Sequence, residues 1–140
     1  MGEEKFKADE VLVIGGGLAG VEAALQLANR GIRVLLREMK PVKYSEAHSS
    51  PALGELVCSN SLKAMGLGQA SGLLHEEMSR LGSVVIETAL NNRVAAGQAL
   101  AVNREDFSKA LTRRVEDAPL IELVRGEATT LPNDRYTIAA

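Results

Sequence analysis

The chain has 140 residues, of which 46% are hydrophobic, and its formal net charge at pH 7 is -2. This length suits one domain with a buried core, and the apolar content argues against wholesale disorder. The weak negative charge argues against a generally basic surface that coats nucleic acid, and the single cysteine excludes an internal disulfide. Because the chain also starts without an apolar signal segment and has no run long enough to cross a bilayer, we expect a soluble, cytoplasmic protein.

The first elements predicted along the chain form a β-α-β unit. Residues 1–9 are polar and are expected to form a flexible N-terminal tail. The apolar run 11–14 predicts a strand, and residues 21–28 repeat apolar side chains at three- and four-residue spacing, as one face of a helix does. After a turn at Gly31, residues 34–38 predict a second strand that ends in an acidic residue.

The turn between the first strand and the helix has the spacing G-x-G-x-x-G, which is typical of dinucleotide-binding sites. Gly15 permits the tight turn, Gly17 lets the backbone approach a pyrophosphate, and Gly20 lets the helix pack close to the strand. The start of the helix offers free N–H groups and the positive end of its dipole to the same anion. Glu38 is placed to accept hydrogen bonds from the ribose hydroxyls, which disfavours NADP without separating NAD from FAD. The cofactor-binding residues predicted here are Gly15, Gly16, Gly17, Leu18, Ala19, Gly20 and Glu38.

The part of the chain that follows the β-α-β unit has few regular patterns. Lys40 and Lys43 could meet a phosphate or ribose, or they could form a solvated surface. Residues 44–70 predict a loop that is long for a simple connector, which indicates a functional or a disordered segment. From its chemistry alone, Cys58 is expected to be a small buried apolar residue, and His48 a structural or surface residue.

The second half of the chain alternates helices and strands. Residues 71–81 predict an amphipathic helix with Leu74, Met78 and Leu81 on one side, and the β-branched run 84–90 predicts either a helix or a strand. The remaining predicted elements are a turn and short strand at 97–102, a helix at 104–116 capped by Asn103, and strands at 120–124, 128–131 and 136–140. The alternation predicts an α/β, Rossmann-like doubly wound fold. Because the last strand runs to the end of the sequence, we expect the domain to be incomplete at its C-terminus.

Four stretches of the sequence carry a resemblance to a known family. The glycine motif at 13–20, with the Glu-Ala-Ala that follows it, is shared with the wider FAD superfamily. Three stretches are more specific: E-L-V-C-S-N-S-L at 55–62, G-L-L-x-E-E-M-x-R-L-G-S at 72–83, and A-L-A-V at 99–102 followed by Arg104. In this order and spacing, the chain resembles the N-terminal FAD-binding part of the folate- and FAD-dependent tRNA uracil-5-methyltransferases.

The resemblance implies a fold and a reaction. It implies a glutathione-reductase-like FAD-binding domain, whose N-terminal part is formed by residues 10–140, in a bacterial-type flavoenzyme. Such an enzyme methylates a uridine of the tRNA T-loop at C5 with carbon from methylenetetrahydrofolate, and NAD(P)H supplies the electrons through the flavin. The implied partners are tRNA and folate, and no membrane, DNA or metal is expected.

The resemblance also implies roles for particular residues. It places Cys58 by the flavin as the catalytic residue, where a thiolate could act as a nucleophile or protect a reactive flavin. Together with Lys40, the residues then expected to contact the cofactor are Ser59, Asn60, Ser61, Arg104 and Ala128. Three positions depart from the family's pattern, because Gln98 replaces a usual glycine, Asn103 an aspartate and His75 a lysine or arginine.

Two alternative functions stay open from the sequence. A flavoprotein of the glucose-inhibited-division type, which modifies the wobble uridine of tRNA, shares the glycine motif but lacks the L-V-C-S-N-S stretch at 56–61. A non-catalytic, truncated module could instead bind FAD or NAD weakly, or bind nothing. We expect the isolated 140-residue chain to be inactive as an enzyme, since a partial site does not exclude water from the flavin.

Overall fold

The computed structural model describes residues 9–140, so the predicted tail at 1–9 lies, except for Asp9, outside the described residues. The elements of the described chain, in order, are β1 (Glu10–Ile14), α1 (Leu18–Asn29), β2 (Arg33–Glu38), β3 (Ser61–Ala64), α2 (Ala70–Arg80), α3 (Val84–Asn91), β4 (Arg93–Val94), β5 (Ala99–Val102), α4 (Arg104–Glu116), β6 (Ile121–Arg125) and β7 (Thr137–Ala139).

β1 lies inside a four-stranded parallel sheet with the order β6-β2-β1-β7. Its Val13 is opposite Leu36 of β2 on one side and Ile138 of β7 on the other. Because β2 and β6 lie to one side of β1 and β7 lies to the other, the strand order reverses at β1. The glycine turn follows β1 and therefore lies at the topological switch point, where open parallel sheets bind their ligands. The predicted α/β, Rossmann-like arrangement is confirmed.

The core lies between this sheet and a layer formed by α1, α3 and α4, which contact one another. Apolar side chains of both layers meet there with less than a tenth of their surface exposed: Val13, Val21, Ala24, Leu25, Val34, Leu36, Val84, Val85, Ala89, Phe107, Leu111 and Val115. Burial of each larger side chain stabilises the fold by about 1.5–3 kcal/mol. A second, antiparallel sheet of order β3-β5-β4 joins the same core through Leu100 and Val102.

The β-branched run 84–90 lies in a helix, α3, and its N-terminus explains why. The Ser83 hydroxyl accepts a hydrogen bond from the backbone N–H of Ile86 at 3.1 Å, as an N-cap residue does. Val84, Val85 and Ile86 then face the interior with no more than 5% of their surface exposed. Tertiary packing and the cap therefore outweigh the strand preference of the β-branched residues.

One prediction about the second half is wrong. Residues 128–131 form no strand, because this segment carries the chain from β6 at one edge of the sheet to β7 at the other and meets no strand with which to pair. The helix predicted at 71–81 is present as α2. Its Leu74 and Leu81 are 53% and 78% exposed, and the buried residue of α2 is Gly72.

Glu22 lies in the second turn of α1, beyond the first turn, where a carboxylate interacts with the dipole of its own helix. It interacts with the start of α3 instead. Its carboxylate accepts hydrogen bonds from the Ser83 hydroxyl (2.7 Å) and from the backbone N–H groups of Val84 (3.0 Å) and Val85 (2.9 Å). Glu22 thus satisfies the free N–H groups at the start of α3. Partial burial raises the pKa of Glu22, but these bonds and one from Gln26 outweigh it and hold the pKa below its usual value.

We expect Glu22→Gln to lower the free energy of unfolding by about 1–2 kcal/mol at pH 7, since an uncharged amide binds the α3 N-terminus less strongly. Because the folded-state pKa of Glu22 is lowered, its stabilisation is fully present above its ordinary pKa of 4.5 and is lost as the pH falls through the folded-state value. Urea unfolding at pH 7 and at pH 3 measures both effects.

The matched control for this substitution is Glu77→Gln on the exposed side of α2. It should stay within about 0.5 kcal/mol of the unsubstituted chain at both pH values. Equal stability of the unsubstituted chain and Glu22→Gln at pH 7 would show that the carboxylate does not hold α3 in place.

Candidate dinucleotide site

The glycine turn is shaped by close backbone contacts around Gly15. This residue has a φ of +103°, a conformation that side chains with a Cβ rarely adopt. Its N–H donates to the carbonyl oxygen of Arg37 at 2.8 Å, which ties the turn to the end of β2. A Cβ at Gly15 would lie 2.3 Å from the carbonyl oxygen of Ala140, so there is no room for a side chain at this position.

Gly17 and Gly20 have opposite surroundings, as the motif predicts. Gly17 is the N-cap residue of α1, and a Cβ placed on it would meet no atom within 4 Å. A Cβ on Gly20 would lie 1.8 Å from the carbonyl oxygen of Gly15, so α1 packs against the turn at a distance that only glycine permits. The first N–H groups of α1 have no acceptor within the helix. The open space at Gly17 is what the motif requires for a close approach of a pyrophosphate, and that binding stays a prediction.

Glu38 ends β2 beside the turn and is only 5% exposed. Its Oε2 accepts the N–H of Gly16 at 2.6 Å, and its Oε1 accepts the N–H of Lys40 at 2.9 Å. These bonds fix the carboxylate against the glycine turn and leave each oxygen a further lone pair. The bonds from Glu38 to ribose hydroxyls stay a prediction.

A cavity of about 380 Å³ opens beside the turn. Six of the predicted cofactor-binding residues line it together: Gly15, Gly16, Gly17, Glu38, Lys40 and Ala128. His48, Glu55 and Glu127 also line this cavity, although no cofactor role was predicted for any of them. His48 is half-buried, and its Nδ1 lies 2.6 Å from the Ser45 hydroxyl.

Lys40 is buried, so it does not form the solvated surface that was one of the two possibilities for Lys40 and Lys43. Its exposed fraction is 3%, and its Nζ donates to the carbonyl oxygen of Ala52 at 2.7 Å and to Glu55 Oε2 at 3.2 Å. Lys43, by contrast, is exposed and pairs with Glu127 at 2.5 Å. The ammonium group of Lys40 is therefore bound to protein atoms, although the residue lines the cavity.

The loop that precedes β3 is ordered around Glu55. Glu55 Oε1 accepts the backbone N–H groups of Ser49 and Ser50, both at 3.1 Å. Partial burial raises the pKa of Glu55, but these bonds and the nearby Lys40 ammonium outweigh it and hold the pKa below its usual value. The N–H of Gly54 donates to the carbonyl oxygen of Gly16 at 2.8 Å, so the loop packs directly on the glycine turn. The sequence showed no pattern that pairs residues this far apart.

Cys58 lies in a different groove from the glycine turn. Its side chain is exposed, so the expectation of a buried apolar cysteine is wrong. The groove has a volume of about 570 Å³, and its lining includes four predicted site residues: Cys58, Ser59, Asn60 and Arg104. Asn60 is anchored to Val102 by hydrogen bonds in both directions, with its Nδ2 3.2 Å from the carbonyl oxygen. Arg104 donates to the carbonyl oxygen of Leu56 at 3.3 Å.

The other predicted site residues lie outside both grooves. Leu18 and Ala19, in the first turn of α1, line an apolar groove against α2 and α3. Ser61 lies in β3, and its hydroxyl accepts the N–H of Lys63 at 3.1 Å. Within residues 9–140, the structure thus brings six of the predicted cofactor-binding residues together around one cavity, and holds the Cys58 groove apart from it.

Comparison with known proteins agrees with this geometry. The family model described as "Glucose inhibited division protein A" matches residues 10–140. The chain belongs to this family.

Within the family, the chain is similar to proteins named methylenetetrahydrofolate--tRNA-(uracil-5-)-methyltransferase TrmFO. It is 57% identical over 130 residues to the protein of Geobacter sulfurreducens and 55% identical over 130 residues to that of Myxococcus xanthus. The match covers 93% of this chain in both cases, but only 30% and 28% of those proteins. The chain therefore spans less than a third of the length of these relatives, and the resemblance seen in the sequence is confirmed.

Solved structures share the fold at low identity. The Diels-Alderase PyrE3 aligns with a TM-score of 0.50 at 16% identity, over 89% of this chain and 27% of that one. The p-nitrophenol 4-monooxygenase PnpA of Pseudomonas putida aligns with a TM-score of 0.50 at 16% identity, over 83% of this chain and 31% of that one. At 16% identity, these two alignments show a shared fold and nothing further.

The described residues include neither a membrane-spanning helix nor a metal-binding cluster. None of the helices within residues 9–140 combines the length and apolar character that a bilayer crossing requires. In the same part of the chain, no three His, Cys, Asp or Glu side chains are grouped as a metal ion would need.

Proposed function

We propose that residues 10–140 form the N-terminal part of an FAD-binding domain. The glycine turn and the first N–H groups of α1 bind the pyrophosphate, while Glu38 and the cavity wall near Ala128 bind the adenosine. The open space at Gly17 supports this proposal most directly, since it lies at the switch point of the sheet beside a carboxylate that is held in place. When bound, FAD supplies the redox chemistry, and the protein's part is to hold and orient it.

In a protein of the relatives' length, this domain serves a cytoplasmic enzyme that methylates a uridine of the tRNA T-loop at C5. Its co-substrates are methylenetetrahydrofolate and NAD(P)H, and its partners are tRNA and folate. The support comes from the names of relatives that are 52–57% identical to this chain, and from the L-V-C-S-N-S stretch at 56–61.

Cys58 is the catalytic residue of this proposal. Its exposed thiol can be reached by a ligand in the groove that Ser59, Asn60 and Arg104 help to line. A thiolate at this position acts as a nucleophile or protects a reactive flavin adduct. Asn60 and Arg104 are held by backbone carbonyl groups of neighbouring segments, which keeps this groove in one shape.

A chimera tests the whole proposal. Residues 10–140 replace the matching region of the Geobacter sulfurreducens relative, and transfer of labelled carbon from methylenetetrahydrofolate to tRNA is followed. We expect the chimera to methylate the T-loop uridine, and Cys58→Ser in the chimera to reduce the rate about 100-fold or more while flavin content stays the same. Full activity of the Cys58→Ser chimera would remove the catalytic role of this residue.

One alternative is a flavoprotein of the glucose-inhibited-division type that modifies the wobble uridine, a type whose name the family model shares. The same assay separates it from the main proposal, because mapping the modified nucleotide distinguishes the T-loop from the anticodon. A chimera that binds flavin but modifies neither position would identify the chain as a non-catalytic binding module.

A further inference from the structure

A lysine is built into the wall of the dinucleotide cavity beside the acidic residue that ends β2. Lys40 follows Glu38 by two positions, and its backbone N–H donates to Glu38 Oε1 at 2.9 Å. Its side chain lines the same cavity as Glu38 and is 4% exposed. A buried lysine at this place requires a partner for its charge, because an unpaired ammonium group is costly to remove from water.

In dinucleotide sites, residues near the end of the second strand determine which form of the ribose is bound. An acidic residue at the end of the second strand favours a ribose with a free 2′-hydroxyl, whereas a nearby basic residue accommodates a 2′-phosphate. This chain has both kinds of residue, two positions apart. The preference of the site therefore depends on whether the Lys40 ammonium group is available to a ligand.

The structure shows that Glu55 holds this ammonium group. Lys40 Nζ lies 3.2 Å from Glu55 Oε2 and 2.7 Å from the carbonyl oxygen of Ala52. Glu55 is itself fixed by the backbone N–H groups of Ser49 and Ser50. Arg125 then donates to the carbonyl oxygens of Lys40 and Pro51, at 3.0 and 2.9 Å, and so joins the two segments that carry the ion pair.

We propose that Glu55 is a specificity-determining residue, which binds the Lys40 ammonium group and so makes the site reject adenosine that carries a 2′-phosphate. This inference rests on the proposed dinucleotide site and goes beyond it, since it concerns which form of adenosine the site accepts. Other charged or titratable residues on the cavity wall are Arg37, His48 and Glu127, and Glu127 pairs with the exposed Lys43 outside the wall. Lys40 differs from Lys43 in being buried beside Glu38.

The test compares two probes, 5′-ADP and adenosine 2′,5′-bisphosphate, by calorimetric titration of the purified chain. We expect the unsubstituted chain to bind 5′-ADP more tightly. Glu55→Gln should shift the ratio of the two dissociation constants about tenfold toward the 2′-phosphorylated probe, because the released ammonium group pairs with the phosphate. Adding Lys40→Met to Glu55→Gln should cancel this shift.

The controls distinguish a change in ligand specificity from a general loss of structure. Glu122→Gln removes an exposed carboxylate of β6 that does not line the cavity, and it should leave the ratio unchanged. Equal weakening of both probes in Glu55→Gln would show a merely structural role and overturn the inference, as would a shift that persists without Lys40. If the unsubstituted chain binds neither probe, the proposed dinucleotide site itself is wrong, and the inference fails with it.

Discussion

The chain with Gly17→Val is expected to fold normally and to lose FAD binding. Gly17 has a φ of -73° and a ψ of -170°, an extended conformation that valine adopts readily. Its side chain would enter open space, so it displaces no protein atom. That same space is where the pyrophosphate has to approach the first N–H groups of α1. We expect the dissociation constant for FAD to rise about 100-fold or more, since the ligand loses its contacts with the helix N-terminus.

Titration of FAD into the chain, followed by the change in flavin fluorescence, measures this effect. Thermal unfolding in the absence of ligand checks that the fold is intact. Gly68→Val is the matched control, because a Cβ at Gly68 also meets no atom within 4 Å but the residue does not line the cavity. Unchanged FAD affinity in Gly17→Val would place the pyrophosphate somewhere other than the glycine turn.

Gly20→Ala is expected to destabilise the fold itself. The added Cβ would lie 1.8 Å from the carbonyl oxygen of Gly15 and 2.9 Å from its carbonyl carbon. These are backbone atoms of the turn directly after β1, so they cannot move aside as a flexible side chain can. The helix has to shift away from the sheet, and the buried contacts of Val21 and Ala24 shift with it. We expect a loss of about 3 kcal/mol or more in the free energy of unfolding.

Thermal unfolding followed by circular dichroism measures this loss, and a fall in Tm of about 10 °C corresponds to it. The control is Gly17→Ala, which adds the same methyl group three residues earlier in open space. It should cost no more than about 1 kcal/mol, because alanine is only a poorer N-cap residue than glycine. A Gly20→Ala chain as stable as the control would contradict the close approach of α1 to the turn.

The parts of the fold that the sequence predicts well are those specified by local interactions. The β1-α1-β2 unit follows from an apolar run, a glycine turn and a helical period within thirty residues. Helix α4 spans Arg104–Glu116 as predicted, and Asn103 caps it by accepting the N–H groups of Glu105 and Asp106 at 3.1 and 3.2 Å. Each of these signals acts between neighbours in the chain, so a single sequence contains it.

The features that the sequence does not reveal depend on distant partners. Strand β3 forms because Ser61 and Ala64 pair with β5, which lies almost forty residues further on. The burial of Lys40 depends on Glu55, and the role of Glu22 depends on the backbone at the start of α3. Helix α2 has an apolar face by its own periodicity, but the described chain places no core against it. Periodicity predicts which side of a helix is apolar and not what that side contacts.

Backbone amide chemical shifts of the isotope-labelled chain, measured while FAD is added, test whether the glycine turn binds the pyrophosphate. We expect the largest shifts in the glycine turn and the first turn of α1, at residues 16–20, and next to Glu38. Riboflavin, which lacks the pyrophosphate and adenosine, should leave these amides unchanged. If FAD leaves residues 16–20 unchanged, or if riboflavin shifts them equally, the glycine turn is not the pyrophosphate site.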